Sequence, residues 1–263
     1  MPHPYLSAAP RPRVLAHRGL VTEDAAARGI TENTRASFAA ARNAGAVYLE
    51  SDCRLTRDGV VVLFHDADLR RVVGDPRPVS AVEHRELVSL MSGRGGLLTL
   101  QDALEAFPGS RFNIDVKSLA AADPGGRIIA PHADRVLVAG FSDRVRRRAL
   151  RAAAAVPGAS RPATSPGRGA LVRILLAVAS RSRILQANAF AGVDALQIPE
   201  RQGRIRVLAP RLVDAAHRAG VEVHVWTVND PERMAELVGM GVDGIVTDRA
   251  DAALATLQEA EKG

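Results

Sequence analysis

Short apolar segments typical of strands alternate with helix-like segments from Val14 onward, and the connections between them are short. This alternation is typical of parallel α/β architecture, in which each strand is followed by a helix that crosses back over the sheet. The strand-like segments number close to eight, the strand number of a closed α/β barrel. We therefore expect a single (β/α)₈ TIM-barrel domain over residues 1–263, with its core at about 14–257 and a longer loop after the second strand.

Individual strands and helices can be placed along the chain. The predicted strands are Val14–His17, Val47–Asp52 with an extension over Val60–Phe64, Phe112–Val116, Arg135–Ala139, a weak segment near Ser160–Ala163, Ala195–Ile198, Val221–Thr227 and Gly244–Thr247. The predicted helices are Thr34–Ala44, Gln101–Phe107, Arg144–Ala155, Pro210–Ala219, Pro231–Gly239 and Asp251–Ala260. Asp230 followed by Pro231 is a typical helix start, and Thr99 is placed to cap the helix that follows it.

Three stretches depart from this rhythm. Asp68–Leu98 is longer than an ordinary connection, so we expect it to cover the pocket at the end of the barrel where active sites are built. Pro157–Gly169 is rich in Pro, Gly and Ser and is interpreted as a flexible linker. Leu171–Leu185 is strongly apolar but contains three arginines, which favours a buried barrel helix over a helix lying on a membrane.

The basic composition raises the question of a polyanionic partner, because the net charge is +6 and the pI is near 10.5. Aromatic residues make up only 3% of the chain, and the basic run Arg144–Arg148 continues into alanines, as on a solvated helix. Proteins that bind single strands usually place stacking aromatics among their basic residues. The composition therefore does not favour a nucleic-acid partner.

Other features bear on location and on covalent stabilisation. No apolar run approaches the roughly 18 residues that a transmembrane segment needs. Met1–Arg13 has prolines where a secretory signal would have its apolar region, so we expect a cytoplasmic protein. Cys53 is the only cysteine, which excludes an internal disulfide.

Three carboxylates stand at or near predicted strand ends. Glu50 and Asp52 are two residues apart on the second strand and project from the same face, and Asp115 lies near the end of the third. Two carboxylates on the helix-covered face would be costly to bury without partners, whereas at the barrel mouth they can share a hard cation. We expect these three residues to bind a divalent metal, Mg²⁺ or Ca²⁺, rather than zinc.

Two histidines and two cations are expected at the same mouth. His17 closes the first strand and His65 follows the apolar run Val60–Phe64. Paired histidines beside a metal suit phosphoester cleavage, since one can accept a proton from the nucleophile while the other donates to the leaving alkoxide. Arg18 and Lys117 are the expected ligands of the phosphate oxygens. Lys117 and Lys262 are the only lysines, so a general need for positive charge does not explain Lys117.

Several short motifs together resemble the glycerophosphodiester phosphodiesterases, in matching order from Val14 to about Leu257. They are His17-Arg18-Gly19, Glu32-Asn33-Thr34, Glu50-Ser51-Asp52, Thr56-Arg57-Asp58-Gly59, His65-Asp66, Val225-Trp226-Thr227-Val228-Asn229 and Gly241-Val242-Asp243-Gly244-Ile245-Val246-Thr247-Asp248. The resemblance implies a metal-dependent (β/α)₈ barrel that releases an alcohol and glycerol 3-phosphate from a small-molecule phosphodiester.

The resemblance also implies residue roles. Glu50, Asp52 and Asp115 would be metal ligands, and His17 and His65 the acid/base pair. Arg18 and Lys117 would bind phosphate, and Trp226 would form an apolar wall against the glycerol. Asp115 departs from the family pattern, which usually has glutamate there in Glu-x-Lys. Aspartate is one methylene shorter, so the metal must sit nearer the third strand or be reached through water; the similar sphingomyelin-cleaving phospholipase D barrels of venoms also have aspartate there.

Each of these residues also has an ordinary structural interpretation. A single histidine at a strand end is often only hydrogen-bonded, and Glu50 and Asp52 could pair with arginines. Trp226 could simply fill the core. Glu32 and Asn33 either begin the first helix, with Asn33 as its cap, or hold Arg18 and metal-bound water from behind. The remaining histidines are interpreted as surface or packing residues: His3, His84, His132, His217 and His224.

Three hypotheses for the function follow. The first is metal-dependent hydrolysis of glycerophosphodiesters by two-histidine acid/base catalysis. The second is a lysophospholipase D-like activity in which Leu171–Leu185 and Asp68–Leu98 accommodate an acyl chain. The third is a barrel that binds phosphoesters or a protein without turnover. The presence of both histidines and all three carboxylates disfavours the third.

Overall fold

Eight parallel strands form a nearly closed barrel in the part of the chain that the computed structural model describes, residues 2–7 and 11–260. The strands are β1 (Arg13–His17), β2 (Tyr48–Leu55), β3 (Arg111–Val116), β4 (Val136–Ala139), β5 (Ala163–Thr164), β6 (Ala195–Ile198), β7 (Glu222–Val225) and β8 (Gly244–Thr247). Neighbours in the barrel are neighbours in sequence, and β1 pairs with both β2 and β8. The (β/α)₈ prediction is confirmed.

The seam of the barrel lies between β5 and β6, the one place where adjacent strands lack ladder pairing among the described residues. Single hydrogen bonds bridge it. The Asp194 amide donates to the Thr164 carbonyl at 3.0 Å, and the Gln197 amide donates to Ser165 Oγ at 3.1 Å. β5 has only two residues, which explains why this strand was the weakest prediction.

One predicted strand segment has a different role. The segment Val61–Leu63 does not enter the barrel but pairs antiparallel with β2, with Cys53 opposite Leu63. The turn between the two strands begins at Thr56, whose Oγ1 accepts from the Val60 amide at 3.0 Å. The chain therefore returns along β2 and carries His65 to the carboxyl ends of the strands.

Most helices surround the barrel, and each helix that was predicted begins and ends close to its predicted position. They are α1 (Pro4–Ser7), α2 (Glu23–Ala27), α3 (Arg35–Asn43), α4 (Arg70–Val73), α5 (His84–Leu90), α6 (Leu100–Ala106), α7 (Leu119–Ile129), α8 (Asp143–Ala154), α9 (Arg168–Ala179), α10 (Arg183–Phe190), α11 (Pro210–Arg218), α12 (Pro231–Gly239) and α13 (Ala250–Ala260), with 3₁₀ turns at Val79–Ala81, Ser92–Arg94 and Ala130–Arg135. No helix in the described ranges has the length and apolar character that crossing a membrane would require.

Helix α7 was not predicted, because Pro124, Gly125 and Gly126 lie within it and normally interrupt helices. The close approach of α8 explains the second glycine. A Cβ on Gly126 would lie 2.3 Å from the Ala149 carbonyl oxygen. The loss of helix propensity is thus accompanied by tight packing between the two helices.

The segment Leu171–Leu185 is not one buried barrel helix, and that prediction was wrong. It is divided between α9 and α10, which are separated at residues 180–182. Ile174 and Ala177 face the core, but Val172, Leu176, Ile184 and Leu185 are exposed.

Two loop interpretations are also corrected. Pro157–Gly169 is not a linker, since it contains β5 and its residues 165–168 line the pocket described below. Asp68–Leu98 does not cover that pocket, and none of its residues lines it. This loop instead folds onto an apolar cluster of its own with Phe64, Leu69, Val79 and Leu87.

The barrel interior is apolar in its middle and charged at both ends. Leu15, Tyr48, Leu137 and Val246 fill the centre, and Tyr5 of α1 plugs the amino-terminal end in edge-to-face contact with Tyr48, with ring centroids 5.3 Å apart. A second apolar layer lies between the strands and the surrounding helices.

A buried ion pair closes the amino-terminal end below Tyr48. Arg13 Nε lies 2.7 Å from Glu222 Oε2, and Arg13 Nη2 lies 2.8 Å from Oε1, so the pair is bidentate. Arg13 also donates to the Tyr48 hydroxyl at 2.9 Å, and His224 Nε2 lies 3.1 Å from Glu222 Oε2. Burial opposes ionisation of Glu222, but the hydrogen bonds from Arg13 and His224 outweigh it and lower its pKa to about 2.

Candidate active site

A pocket of about 240 Å³ opens at the carboxyl ends of the strands. It brings together eight residues predicted from the sequence: His17, Arg18, Glu50, Asp52, His65, Asp115, Lys117 and Trp226. Strand register explains the gathering, because His17 is opposite Glu50 and Asp52 is opposite Asp115. The carboxyl ends of parallel strands converge on the same end of a barrel, where active sites lie.

A sharp turn after β1 places Arg18. Arg18 and Gly19 both have positive φ, 59° and 91°. A Cβ on Gly19 would lie 2.5 Å from Ser37 Oγ, so only glycine fits there without displacement of α3. The turn directs the Arg18 guanidinium to Asp52, with Nε 3.2 Å from Oδ2.

The three carboxylates lie together with Lys117 between two of them. Lys117 Nζ is 2.7 Å from Asp52 Oδ1 and 2.6 Å from Asp115 Oδ2. Asp115 Oδ1 is buried and has no hydrogen-bond partner among the described residues. Glu50 is 7% exposed and accepts only from the Arg18 amide, at 3.2 Å, among the hydrogen bonds of the described chain.

The charge of the site is unbalanced toward the carboxylates. Burial, followed by repulsion from Asp52, raises the pKa of Glu50 to about 8. Burial also raises the pKa of Asp115, whereas in Asp52 burial is outweighed by Lys117 and Arg18, which lower its pKa. For Lys117, burial opposes the charge but Asp52 and Asp115 outweigh it, and the pKa is raised.

The donor chemistry of the carboxylates suits a hard divalent cation. Asp115 has a buried oxygen without a hydrogen-bond partner in the described chain, and burial together with Asp52 opposes ionisation of Glu50, so a cation bound there would favour the ionised form of Glu50 and occupy the unpartnered oxygen. Across residues 2–7 and 11–260, however, no group of three His, Cys, Asp or Glu side chains is arranged as a ready-made metal site. Lys117 lies between two of the acids, so binding of a metal there requires its ammonium to move.

Both histidines are held by an aspartate through Nδ1. The Nδ1–Oδ1 distance is 2.6 Å for His17 and Asp248, and 2.6 Å for His65 and Asp66. A carboxylate can only accept, so in each ring Nδ1 carries the proton and Nε2 remains for the pocket. His17 Nε2 lies 3.9 Å from Glu50 Oε2.

The two histidine–aspartate pairs differ in what surrounds them and in which pKa values are shifted. Burial disfavours the imidazolium of His17, but the hydrogen bond to Asp248 and the charge of Glu50 outweigh it and raise its pKa. Asp248 is itself held by Asn229 Nδ2 at 2.7 Å. Burial likewise opposes ionisation of Asp66, but hydrogen bonds from Arg71 and His65 prevail and lower its pKa to about 2.

Glu32 and Asn33 lie behind the pocket rather than in its lining. Glu32 Oε1 accepts from Arg18 Nη1 at 2.9 Å and from Arg71 Nη2 at 2.6 Å. Asn33 Nδ2 lies 3.5 Å from Asp52 Oδ2. The alternative in which Asn33 caps the first helix was wrong, since Thr34 is the cap and forms a capping box with Ser37.

Several pocket residues were not identified from the sequence. Phe141 packs edge-to-face on Trp226 with ring centroids 5.9 Å apart, and Arg168 Cζ lies 4.9 Å from the centroid of the Phe141 ring. Lys117 Nζ is 5.3 Å from the centroid of the same ring. Phe141 lies in the loop after β4 and Arg168 is the first residue of α9, and neither belongs to a motif. The aspartates could have been found, because Asp66 is adjacent to His65 and Asp248 ends the last motif.

Known proteins are similar to this chain in sequence and in fold. The model of the glycerophosphoryl diester phosphodiesterase family matches residues 17–252. A Mycobacterium tuberculosis protein named probable glycerophosphodiester phosphodiesterase 2 is 39% identical over 252 residues, covering 92% of both chains. A lysophospholipase D of Mus musculus is 34% identical over 119 residues, 40% of this chain and 36% of that one.

A solved structure shows the same fold. It is the Oleispira antarctica phosphodiesterase in complex with the product sn-glycerol-3-phosphate, with a TM-score of 0.69 and 22% identity. The match covers 94% of this chain and 97% of that chain. The barrel is therefore shared over nearly the whole length of both proteins.

Proposed function

This chain belongs to the glycerophosphoryl diester phosphodiesterase family and is a phosphodiester hydrolase, and on that premise we propose that it hydrolyses glycerophosphodiesters to an alcohol and glycerol 3-phosphate. We propose further that the reaction depends on a divalent cation and on His17 and His65 as the acid/base pair. Because the chain belongs to a family of phosphodiester hydrolases, we reject the hypothesis of a barrel that binds phosphoesters or a protein without turnover.

One observation carries the proposal: two Asp-oriented histidines stand at a mouth that also holds three carboxylates and two cations. Each Nδ1 is fixed on an aspartate at 2.6 Å, which leaves each Nε2 as the nitrogen that exchanges a proton in the pocket. In the proposed reaction one Nε2 accepts the proton of the nucleophile, and the other donates to the leaving alkoxide. The nucleophile is water, which gives glycerol 3-phosphate directly, or the glycerol hydroxyl next to the phosphate, which expels the alcohol to form a cyclic phosphodiester that water then opens to glycerol 3-phosphate.

The proposed metal ligands are Glu50, Asp52 and Asp115. Mg²⁺ or Ca²⁺, when bound, would neutralise the carboxylates and withdraw charge from the phosphate oxygens. Arg18 and Lys117 now pair with Asp52 and Asp115, and their contacts would be exchanged for contacts with the phosphate. We place the glycerol against Trp226, at the wall that it forms with Phe141.

A lysophospholipase D-like activity is the second candidate, and the wall of the pocket supports it. The apolar part of the pocket lining is formed by Phe141, Pro166, Leu171, Pro199 and Trp226. An acyl chain could lie along this wall, although the loop Asp68–Leu98, first expected to help, does not line the pocket. The partial match to a lysophospholipase D is in keeping with this candidate.

The test is metal-dependent release of the alcohol from a panel of glycerophosphodiesters, with lysophospholipids included; the second product is glycerol 3-phosphate from the diesters and acylated glycerol phosphate from the lysophospholipids. We expect release from the water-soluble diesters, loss of activity with EDTA, and recovery with Mg²⁺ or Ca²⁺. Full activity after exhaustive chelation would overturn the metal assignment. Turnover of lysophospholipids alone would favour the second candidate. A cytoplasmic location belongs to the same proposal and is tested by cell fractionation.

A further inference from the structure

An apolar surface is exposed on helices α9 and α10. Val172, Leu176, Ile184 and Leu185 have 54%, 65%, 75% and 51% of their surface accessible. Val172 and Leu176 are four residues apart and so lie on one face of α9, and α10 packs against α9. Large aliphatic side chains clustered in this way on a surface indicate a site of contact with a membrane or with another protein.

The same region is basic and contains no acidic residue. Residues 168–193 include four arginines and no Asp or Glu. The hairpin at residues 201–206, formed by the antiparallel strands Arg201–Gln202 and Ile205–Arg206, adds three more arginines without an acid. The seven are Arg168, Arg173, Arg181, Arg183, Arg201, Arg204 and Arg206, all exposed. Within the described ranges, none has a carboxylate in ion-pair distance.

Some exposed arginines elsewhere on the molecule are neutralised by acids. Four of them pair at 2.6–2.7 Å, in Arg57–Glu83, Arg71–Glu32, Arg148–Asp123 and Arg161–Asp194. Others, such as Arg85 on α5, are exposed without such a pair in the described chain. The surface beside α9 is therefore distinguished by the lack of acids along residues 168–193 and 201–206 and by its exposed aliphatic side chains.

This basic apolar surface adjoins the mouth of the active-site pocket. Arg168 and Leu171, at the start of α9, line the pocket, and Val172 follows directly. Gln202 of the hairpin also lines the pocket, and its pairing partner Ile205 is 68% exposed. Whatever contacts this surface thus lies beside the entrance to the site.

We propose that α9, α10 and the 201–206 hairpin dock the protein on the surface of an anionic phospholipid bilayer. Aliphatic residues interspersed with arginines are typical of helices that lie in the interfacial plane, where the side chains enter the headgroup region and the cations meet the lipid phosphates. This inference goes beyond the proposed hydrolysis, because binding to a bilayer requires no turnover.

Other occupants fit the surface less well. A symmetric pair of copies would bring the arginines of one copy against those of the other, and no acid is present there to relieve the repulsion. Single-stranded nucleic acid would need stacking aromatics, and among the described residues 168–190 the only aromatic is Phe190, which is buried.

The test is co-sedimentation of the full chain with large vesicles of phosphatidylcholine, with and without phosphatidylglycerol. We expect binding to the anionic vesicles only, weakened by added salt because exposed charges are screened. The double variant Arg173→Glu with Leu176→Ser should raise the dissociation constant at least about tenfold, since it reverses one charge and removes one apolar anchor. Neither residue lines the pocket, so turnover of a water-soluble diester should be unchanged.

A matched control lies on helix α5, far along the chain from this surface. Arg85 and Val88 are exposed and, like Arg173 and Leu176, three residues apart. Arg85→Glu with Val88→Ser should leave vesicle binding within about twofold of the wild type, as expected for positions away from the interface. Absence of sedimentation with anionic vesicles, or equal loss in both double variants, would overturn the proposal. Self-association of the wild type that Arg173→Glu with Leu176→Ser abolishes, without vesicle binding, would overturn it in favour of a second copy.

Discussion

The two ends of the barrel both bury charged side chains, but only one end balances them. At the amino-terminal end Glu222 is paired in bidentate fashion with Arg13, and its pKa is lowered to about 2. At the carboxyl-terminal end three carboxylates face Arg18 and Lys117, and the pKa of Glu50 is raised to about 8. A matched pair stabilises the fold, whereas an unmatched excess of carboxylate is what a cationic ligand would complete.

The difference also appears in what covers each end. Tyr5 of α1 closes the amino-terminal end and is fully buried. The carboxyl-terminal end stays open as the pocket, with His17 and His65 at its edge. Substitutions at the two ends should therefore have separable effects, on stability at one and on turnover at the other.

The largest effect is expected from the histidines. His17→Ala and His65→Ala should each lower kcat by about 10²- to 10⁴-fold, since that is the usual contribution of a general acid or base. The melting temperature should change little, because each ring contributes mainly one hydrogen bond to an aspartate. Wild-type kcat/KM should show a bell-shaped pH dependence, and each variant should lose one limb.

An activated aryl phosphodiester distinguishes the two roles. Its leaving group scarcely needs a proton. The alanine variant that turns over this substrate at close to the wild-type rate is therefore the one that lacks the general acid. If both alanine variants turn over the natural ester at the wild-type rate, the two-histidine mechanism is wrong.

A change of comparable free energy is expected at the amino-terminal end of the barrel, but in the stability of the fold and not in turnover. Arg13→Met removes the bidentate partner of Glu222 and leaves the buried carboxylate with His224 at 3.1 Å and the more exposed Arg11 at 3.2 Å. Breaking a buried pair in this way typically costs about 3–5 kcal/mol of unfolding free energy, measurable by urea denaturation. Turnover per folded molecule should be unchanged. The double variant Arg13→Met with Glu222→Leu should recover part of the loss, and a double variant as unstable as the single one would argue against the charge interpretation.

The pH dependence of stability gives a smaller effect at the same end. The pKa of Glu222 is lowered from its ordinary 4.5 to about 2, so the folded protein binds this proton less tightly than the unfolded chain. The stabilisation is fully present above about pH 4.5 and is lost as the pH falls toward 2. We expect Glu222→Gln to flatten this part of the stability curve, by on the order of 2 kcal/mol. If the variant loses stability with falling pH as steeply as the wild type, a group other than Glu222 causes the acid sensitivity.

The smallest effect is expected from restoring the family's longer acid. Asp115→Glu should keep turnover within about tenfold and change the preference between Mg²⁺ and Ca²⁺, because the larger ion tolerates more varied ligand placement. Activity with both metals is the measurement. Complete inactivity would show that the pocket is built around the shorter side chain and the Lys117 contact at 2.6 Å.

The sequence was sufficient to predict which residues meet at the open end, since every strand of a parallel barrel ends there. His17, Glu50, Asp52, Asp115 and Lys117 were placed by strand position alone, and the structure brings them together. Periodicity also indicated the helices that begin with a good cap, such as the one after Asp230.

What could not be predicted depends on contacts between distant segments. Lys117 was expected on phosphate, and its position between Asp52 and Asp115 follows from strand register, which a single sequence does not reveal. Phe141 reaches the pocket from the loop after β4, and Arg168 from the first residue of α9. The exposure of α9 was also missed, because an apolar segment does not indicate whether another element covers it.

The most direct test compares the same chemical change at both ends, carboxylate to amide, by measuring unfolding free energy and metal-dependent turnover on each variant. Asp52→Asn should weaken metal affinity and turnover by at least about tenfold and change stability by less than about 1 kcal/mol, because Lys117 keeps Asp115 and repulsion on Glu50 is relieved. Glu222→Gln should lower stability and leave turnover per folded molecule intact. If Asp52→Asn instead lowers the melting temperature strongly with unchanged metal affinity, the open end is a structural ion-pair network and not a metal site.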